Sequence, residues 1–540
     1  WKTDQTFQNI LINMLHGKNY IGNNLSSEGK VIFKTFNPKL NKNNECNFTE
    51  ATINELNMAA NLAYDAFLEY KNVDSLKRSK FLDSIVDQIL LIQNDIVSVY
   101  CEETGLPDGR AKGELGRTIG QIRSFSELLK KGDWVNASID TADAERKPVP
   151  KPDLRKMSIP LGPVLVFGAS NFPLAYSTAG GDTASALAAG CTVIVKSHPM
   201  HAGTGELVSS AIIKAAQITG MPNGVFSNIN SAGIQTGIDL INNPLIKAVG
   251  FTGSLKAGRS LLNLANNRDE PIPVFAEMGS INPVIILPEI LKTDWNNLAT
   301  KYANSITLGS GQFCTNPGII IGIKSTYFTE FVNSLSKKIL DIAPSCMLHP
   351  NIIRNYNNNK MKLISDKQVN VIADFTDDVD INYSKQTLAM VKGSDFIINN
   401  DLQEEIFGPF SLLVECDNMI QLESVVDKIN GQLTGTIIAS HNEISSNKAL
   451  IDILKERVGR IIFNGVPTGV EVNASMLHGG PYPASTDSRF TAVGVRSIDR
   501  WVRPLSYQDF PSELLPDSLK DNNPKNILRL VNGIYTKNKI

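Results

Sequence analysis

Between residues 164 and 276, short apolar runs alternate with stretches that repeat on a helical period, and this constrains the fold more than any other feature. Runs at 164–167, 192–195, 225–229, 248–252 and 274–276 read as strands. The segments 183–189, 206–216 and 255–264 between them read as helices. Strands joined through helices pair in parallel with right-handed crossovers. The expected class is therefore α/β, with a Rossmann-type, doubly wound sheet whose ligand crevice lies beyond the carboxyl ends of the strands. A second α/β block is expected from about Asn282 to Gly469, with strands at 284–287, 318–323, 410–414, 434–439 and 460–464.

The first third reads as helical. Thr52 and Glu55 have capping-box spacing ahead of Leu56, Ala59, Ala63 and Phe67, which share one helical face. Phe81, Ile85, Ile89, Ile92, Ile96 and Val99 predict a single second helix that stops near Gly105 and Pro107. A third is predicted over about 112–129. The Pro-rich stretch 148–163 reads as a linker or as an extended edge strand reaching toward a partner subunit. The Gly- and Pro-rich tail after Met476 is expected to return to the surface.

Composition excludes several functions. Lys plus Arg is 52 and Asp plus Glu is 54, a net charge of -2, so the basic excess of a nucleic-acid binder is missing. No apolar run approaches the roughly 18 residues of a membrane span. Six cysteines occur with no CxxC pair, so no metal site is expected. Sparse cysteines fit a reducing, cytoplasmic location. Nothing near Trp1 has the order of a secretion signal.

Chemistry concentrates at the ends of the expected strands. Asn171, in Gly168-Ala169-Ser170-Asn171-Phe172-Pro173, could donate to a developing oxyanion or simply form a turn. The GxGxxG of a standard dinucleotide site is missing. Lys196 ends the second strand and could bond a ribose or merely be solvated, while His198 reads as a loop residue. Gly253-Ser254 opens a helix, where backbone and hydroxyl could approach a phosphate. Glu277 follows an apolar strand, where burial would suit it to proton abstraction; a surface carboxylate reads equally well. Cys314 sits among Gly309, Gly311, Pro317 and Gly318, a setting for a nucleophile or for inert packing. Glu405-Ile406-Phe407-Gly408-Pro409 offers a carboxylate and an aromatic, or a plain helix end.

Taken together and in this chain order, the six segments resemble the aldehyde dehydrogenase family over roughly residues 52–505. The resemblance implies that Cys314 attacks an aldehyde carbon, with the oxyanion held by Asn171 and a backbone N–H. Hydride transfer then leaves a thioester, which a water activated by Glu277 hydrolyses to a free acid. Relatives that pass the acyl group to coenzyme A generally lack that glutamate. The implied cofactor contacts are Lys196, Ser197, His198, Gly253, Ser254, Glu405 and Phe407. Residues 1–147 with 161–281 are expected to bind NAD(P). Residues 282–475 are expected to carry the nucleophile. Residues 148–160 with 476–540 are expected to form a small β oligomerisation arm and tail, in a homodimer or homotetramer.

A finer likeness within the family rests on residues 167–189, Lys196-Ser197-His198-Pro199, His478-Gly479-Gly480-Pro481-Tyr482-Pro483 and residues 503–511. It implies α-ketoglutaric semialdehyde as substrate and 2-oxoglutarate as product. A carboxylate-bearing aldehyde invites an arginine at the entrance, and Arg117 and Arg489 are the candidates; an ordinary salt bridge is the alternative for each. NAD-preferring relatives often carry a glutamate where Pro199 stands, so NADP is favoured over NAD. The rival readings are a broad aliphatic or fatty aldehyde dehydrogenase, and a non-catalytic binding protein on the same fold.

Overall fold

The computed structural model describes residues 15–540. The start of the chain, including the stretch read for a secretion signal, lies outside the described residues. Three sheets organise the molecule. The first has seven strands in the order Val274–Glu277, Ala248–Thr252, Val164–Phe167, Val193–Lys196, Phe226–Ile229, Asn19–Ile21, Asn24–Ser26. The first five run parallel, and the last two add antiparallel. The chain fills this sheet outward from Val164–Phe167 in one direction, then restarts on that strand's other side with Ala248–Thr252. Such a reversal leaves a crevice at the carboxyl ends of the two central strands. Asn171 and Ser254 belong to the loops that follow those strands.

The second sheet also has seven strands, from Val284–Ile286 to Val458–Phe463. Its expected parallel members are present. An antiparallel strand pair, Asn370–Asp374 with Thr387–Lys392, was not foreseen, because its flanks are polar and bulged.

The helices follow the apolar spacing, with two corrections. Thr52 and Glu55 form a reciprocal capping box on Ile53–Tyr70. The single helix expected from Phe81 to Val99 is two, Ser75–Leu91 and Gln93–Thr104, broken where Ile92 leaves helical geometry at φ -114° and ψ 20°. Both remain on one apolar face because Phe81, Ile85, Ile89, Ile96 and Val99 are all buried in the same core. The second ends at Gly105, whose φ of 67° is left-handed and inexpensive for glycine.

The third sheet corrects the reading of 148–163. Leu154–Pro160 is neither a linker nor an edge: it lies between Val502–Gln508 and Ser138–Asp140, antiparallel to both. Its prolines fall at or outside its ends. The tail after Met476 does not simply return to the surface. His478, Gly479, Gly480 and Ala484 are buried, and Met278 N–H donates to Ala484 at 2.8 Å along the edge strand Val274–Glu277. No helix among the described residues is long and apolar enough to cross a membrane.

Candidate active site

Cys314 lies where two cavities meet. One, of about 320 Å³, is lined by Asn171, Gly253, Ser254, Glu405 and Phe407. The other, of about 330 Å³, is lined by Arg110, Arg117, Phe172, Tyr176 and Phe313. The cysteine is a wall of both.

The loop carrying it is tightly built. Gly309, Ser310 and Gly311 take left-handed φ values of 55°, 56° and 65°. A side chain at Gly311 would collide with the Gly408 backbone, so the loop touches the Glu405–Gly408 segment directly. Ser310 bears the strain because its hydroxyl reaches the Ser345 carbonyl at 2.9 Å. Asn282, fully buried, donates through Nδ2 to the carbonyls of Cys314 and Asn316, each at 2.8 Å. Its Oδ1 accepts from Ser280 at 2.9 Å and Thr434 at 3.1 Å, tying the loop to the second sheet.

Asn171 approaches from the first sheet. Its Nδ2 donates to the Gln312 carbonyl at 3.1 Å, which orients the amide and leaves its second N–H free for a substrate oxygen. Buried Glu114 fixes the following residues, accepting from the Leu174 and Ala175 N–H groups at 2.9 Å each.

Glu277 and Cys314 are brought together with a residue to which the sequence assigned no role, His478. Its Nε2 is 3.4 Å from Cys314 Sγ and 2.8 Å from Glu277 Oε1. The contact with Glu277 is close but misaligned, and neither carboxylate oxygen has a hydrogen-bond partner among the described residues. Glu277 is 4% exposed and His478 1%. Burial, then the negative charge of Glu277, push the Cys314 thiol well above its ordinary range, against the opposing pull of Arg117. The only sequence signal for His478 is a histidine directly before Gly479-Gly480; nothing in the 164-residue separation shows that it meets Cys314.

At the end of strand Val193–Lys196, Lys196 Nζ donates to the Ser231 carbonyl at 2.9 Å, and burial lowers its pKa to about 8. Ser197 is buried, and its hydroxyl has no partner among the described residues. His198 stacks on His201 at 5.2 Å and accepts from Met200 N–H, acting as a turn residue. Ser254 caps Leu255–Asn266, accepting from Ala257 N–H at 3.3 Å. A side chain at Gly253 would come within 2.6 Å of the Phe251 ring, so the turn beside the cavity requires its bare backbone. Burial raises the Glu405 carboxyl to about 7.

The two arginine candidates part company. Arg117 lines the second cavity and donates to Tyr176 Oη at 3.0 Å, and its buried Nε has no partner among the described residues. Arg489 lines neither cavity; its side chain is 79% exposed and forks onto Asp487. Arg110, which sequence reasoning passed over, lines the cavity instead, stacked 4.3 Å over Phe172 and 4.8 Å over Phe313.

A doubly wound sheet joined to a second α/β sheet, with a cysteine, a glutamate and an asparagine converging at the seam, defines a class that comparison with known proteins identifies. Residues 25–485 match the aldehyde dehydrogenase family, and the chain belongs to it as an oxidoreductase whose family uses NAD or NADP. It is 47% identical over 492 residues to an α-ketoglutaric semialdehyde dehydrogenase of Acinetobacter baylyi, covering 91% of this chain and 93% of that one. It is 42% identical over 479 residues to α-ketoglutaric semialdehyde dehydrogenase 2 of Azospirillum brasilense, covering 89% and 91%. Among solved structures, a betaine aldehyde dehydrogenase of Staphylococcus aureus in complex with NAD+ shares the fold, with a TM-score of 0.79 at 18% identity, over 94% of this chain and 98% of that one.

Proposed function

We propose that this chain oxidises α-ketoglutaric semialdehyde to 2-oxoglutarate through a Cys314 thioester. The observation that carries the reading is the placement of Cys314 between a cavity fit for a nucleotide and a cavity lined by Arg110 and Arg117. A guanidinium grips a carboxylate in bidentate fashion, so the second cavity suits an aldehyde with an acid at its far end. The two curated relatives above carry that substrate in their names.

The chain's own residues supply the proton steps. Cys314 passes its proton to His478 Nε2 and its sulfur bonds to the aldehyde carbon. The carbonyl oxygen becomes an oxyanion beside the free N–H of Asn171, a donor of the kind worth about 2.7–4 kcal/mol. The pyridine nucleotide, when bound, supplies the hydride acceptor that turns the thiohemiacetal into a thioester. Glu277 then takes a proton from water, whose oxygen displaces the sulfur and releases the carboxylic acid. The empty acceptor positions of its carboxylate suit it to that water.

The nucleotide is assigned to Lys196, Ser197, Gly253, Ser254, Glu405 and Phe407, with His198 shaping the turn. NADP is the preferred form. Pro199 offers no carboxylate to repel a 2′-phosphate, and nearby Glu50 is already bound by Ser231, Ala232 and Gly233, each at 2.9 Å. Residues 1–147 with 161–281 are assigned to nucleotide binding, and 282–475 to the nucleophile. Residues 148–160 with 476–540 are assigned to the arm and tail. The unpaired edges of Val502–Gln508 and Val458–Phe463 support a homodimer or homotetramer. Six free cysteines support a reducing, cytoplasmic setting.

The test is a kcat/KM panel of α-ketoglutaric semialdehyde, glutaraldehyde and long-chain aldehydes with both nucleotides. The acidic semialdehyde with NADP should lead; a preference for long-chain aldehydes overturns the substrate.

A further inference from the structure

Glu277, Cys314 and His478 bring a carboxylate oxygen, a sulfur and an imidazole nitrogen to within 4.8 Å of one another. We propose that these three side chains form a zinc site, occupied when the cleft is free of nucleotide and aldehyde, and that the bound ion holds the enzyme reversibly inactive. The proposal rests on this geometry alone and not on which aldehyde the enzyme oxidises.

The donor set selects the metal. Thiolate and imidazole suit Zn²⁺, whereas Mg²⁺ and Ca²⁺ demand oxygen ligands. Tetrahedral zinc, with bonds of about 2.0–2.3 Å, separates its ligand atoms by about 3.4–3.6 Å. Sγ and Nε2 are already 3.4 Å apart, and Nε2 and Oε1 are 2.8 Å apart. Entry of an ion therefore asks the imidazole and carboxylate to part by about half an ångström. Both oxygens of Glu277, a side chain 4% exposed, lack any hydrogen-bond partner among the described residues. They are buried acceptors, and Oε1 faces the cluster, where a cation would satisfy it. The cavities that meet at Cys314 bring an ion to its sulfur, and Glu277 and His478 line a further small cavity of about 20 Å³, space for a water as fourth ligand.

Binding is balanced in charge and protons. The Cys314 thiol loses its proton to solvent as the Zn–S bond forms, and the ion's two charges meet one thiolate and one carboxylate around a neutral imidazole. No electron moves, so removing the ion restores the free thiol. His478 Nδ1 has no hydrogen-bond partner among the described residues, and on that side the ring packs against Tyr176, with ring centroids 5.9 Å apart. Zinc ligands usually have a partner at that nitrogen, so the affinity should be low enough for EDTA to strip the metal.

The experiment is calorimetric titration of the chelator-treated full chain with ZnCl₂, in two buffers of different ionisation enthalpy. Expected are one ion per chain, release of a proton, and protection of Cys314 from iodoacetamide that EDTA reverses. Co²⁺ in its place should give a thiolate-to-cobalt absorption band. His478→Ala and Cys314→Ser should each weaken zinc binding by at least about 10-fold. Circular dichroism checks that the variants fold; should one fail to, protection of Cys314 in the unaltered chain decides. Absence of zinc uptake, uptake that leaves Cys314 fully reactive, or affinity unchanged in both folded variants overturns the site. Aldehyde oxidation by the metal-free enzyme is a separate readout, so failure of the zinc site does not touch the catalytic assignment.

Discussion

His478 Nε2 lies 3.4 Å from the sulfur of Cys314, although the histidine lines neither of the two cavities that the cysteine walls. The two residues are 164 positions apart. Their meeting depends on the tail crossing back over the strand Val274–Glu277, where residues 484–486 bond to its edge. The imidazole is thus within reach of that sulfur.

Replacing His478 by Ala should therefore lower kcat/KM by about 10²–10⁴-fold, the usual worth of a positioned base. The sharper readout is alkylation. Because the Cys314 pKa is raised, its reaction with iodoacetamide should keep accelerating above about pH 8.5, where an ordinary thiol is half ionised. If the variant alkylates as fast as the parent at neutral pH, the histidine is not the base.

Asn171→Ala removes one oxyanion donor while leaving the Gln312 carbonyl it oriented against. The expected loss is about 10²–10³ in kcat with little change in KM, since the donor matters only once charge develops. Steady-state kinetics with a saturating nucleotide measures the split. A rise confined to KM would make Asn171 a substrate-positioning group instead.

The sequence made the scaffold legible wherever local chemistry and tertiary position agree. The strand Val164–Phe167 and the strand Ala248–Thr252 have the bounds their apolar runs imply. Ile92 shows the limit: its spacing continues the apolar stripe of the preceding helix, so periodicity cannot show that the backbone turns there. Leu154–Pro160 shows another, because a Pro-rich flank resembles an edge until the partner strands on both sides are known. The neighbours of Cys314 divide in the same way. Asn171 and Glu277 follow strands, where the local sequence leaves a plain turn and a surface carboxylate open until the six segments are read together. His478, Arg110 and Asn282 act through contacts made only on folding.

Arg117 and Arg489 offer a direct contrast. Arg117→Ala should raise KM for the acidic semialdehyde by about 10-fold or more, a loss of about 1.5–3 kcal/mol for a charged hydrogen bond, and leave a neutral aldehyde of the same length nearly unaffected. Arg489→Ala should change neither, since its exposed guanidinium is bound to Asp487 outside both cavities. Equal effects of Arg117→Ala on acidic and neutral aldehydes would remove its carboxylate-binding role.

Lys196 provides a pH test of nucleotide choice. Burial lowers its pKa to about 8, so it is a cation below that pH and neutral above it. A cation attracts a 2′-phosphate, so the KM for NADP should rise as pH passes through 8, while that for NAD changes less. Lys196→Met should flatten the NADP profile. A steeper rise for NAD than for NADP would place the 2′-phosphate away from this lysine.

Asn282 tests whether the loop's rigidity matters apart from its chemistry. Its φ of 45° is left-handed, which asparagine tolerates better than most residues, and its amide joins both the Cys314 and Asn316 carbonyls. Asn282→Ala takes the side-chain donor from the Cys314 carbonyl and the acceptor from the Thr434 hydroxyl, a cost of about 1–3 kcal/mol for each buried group left unsatisfied, while Ser280 keeps Gln432 and the Asn316 carbonyl keeps Gly318 N–H. Denaturant unfolding should show the lost stability. If the loop is also the device that aims the sulfur, kcat should fall more than the folded fraction does, with alkylation of Cys314 becoming faster as the loop loosens. A variant that loses stability but turns over normally when folded would show that the Asn282 bonds hold the sheet together without aiming the nucleophile.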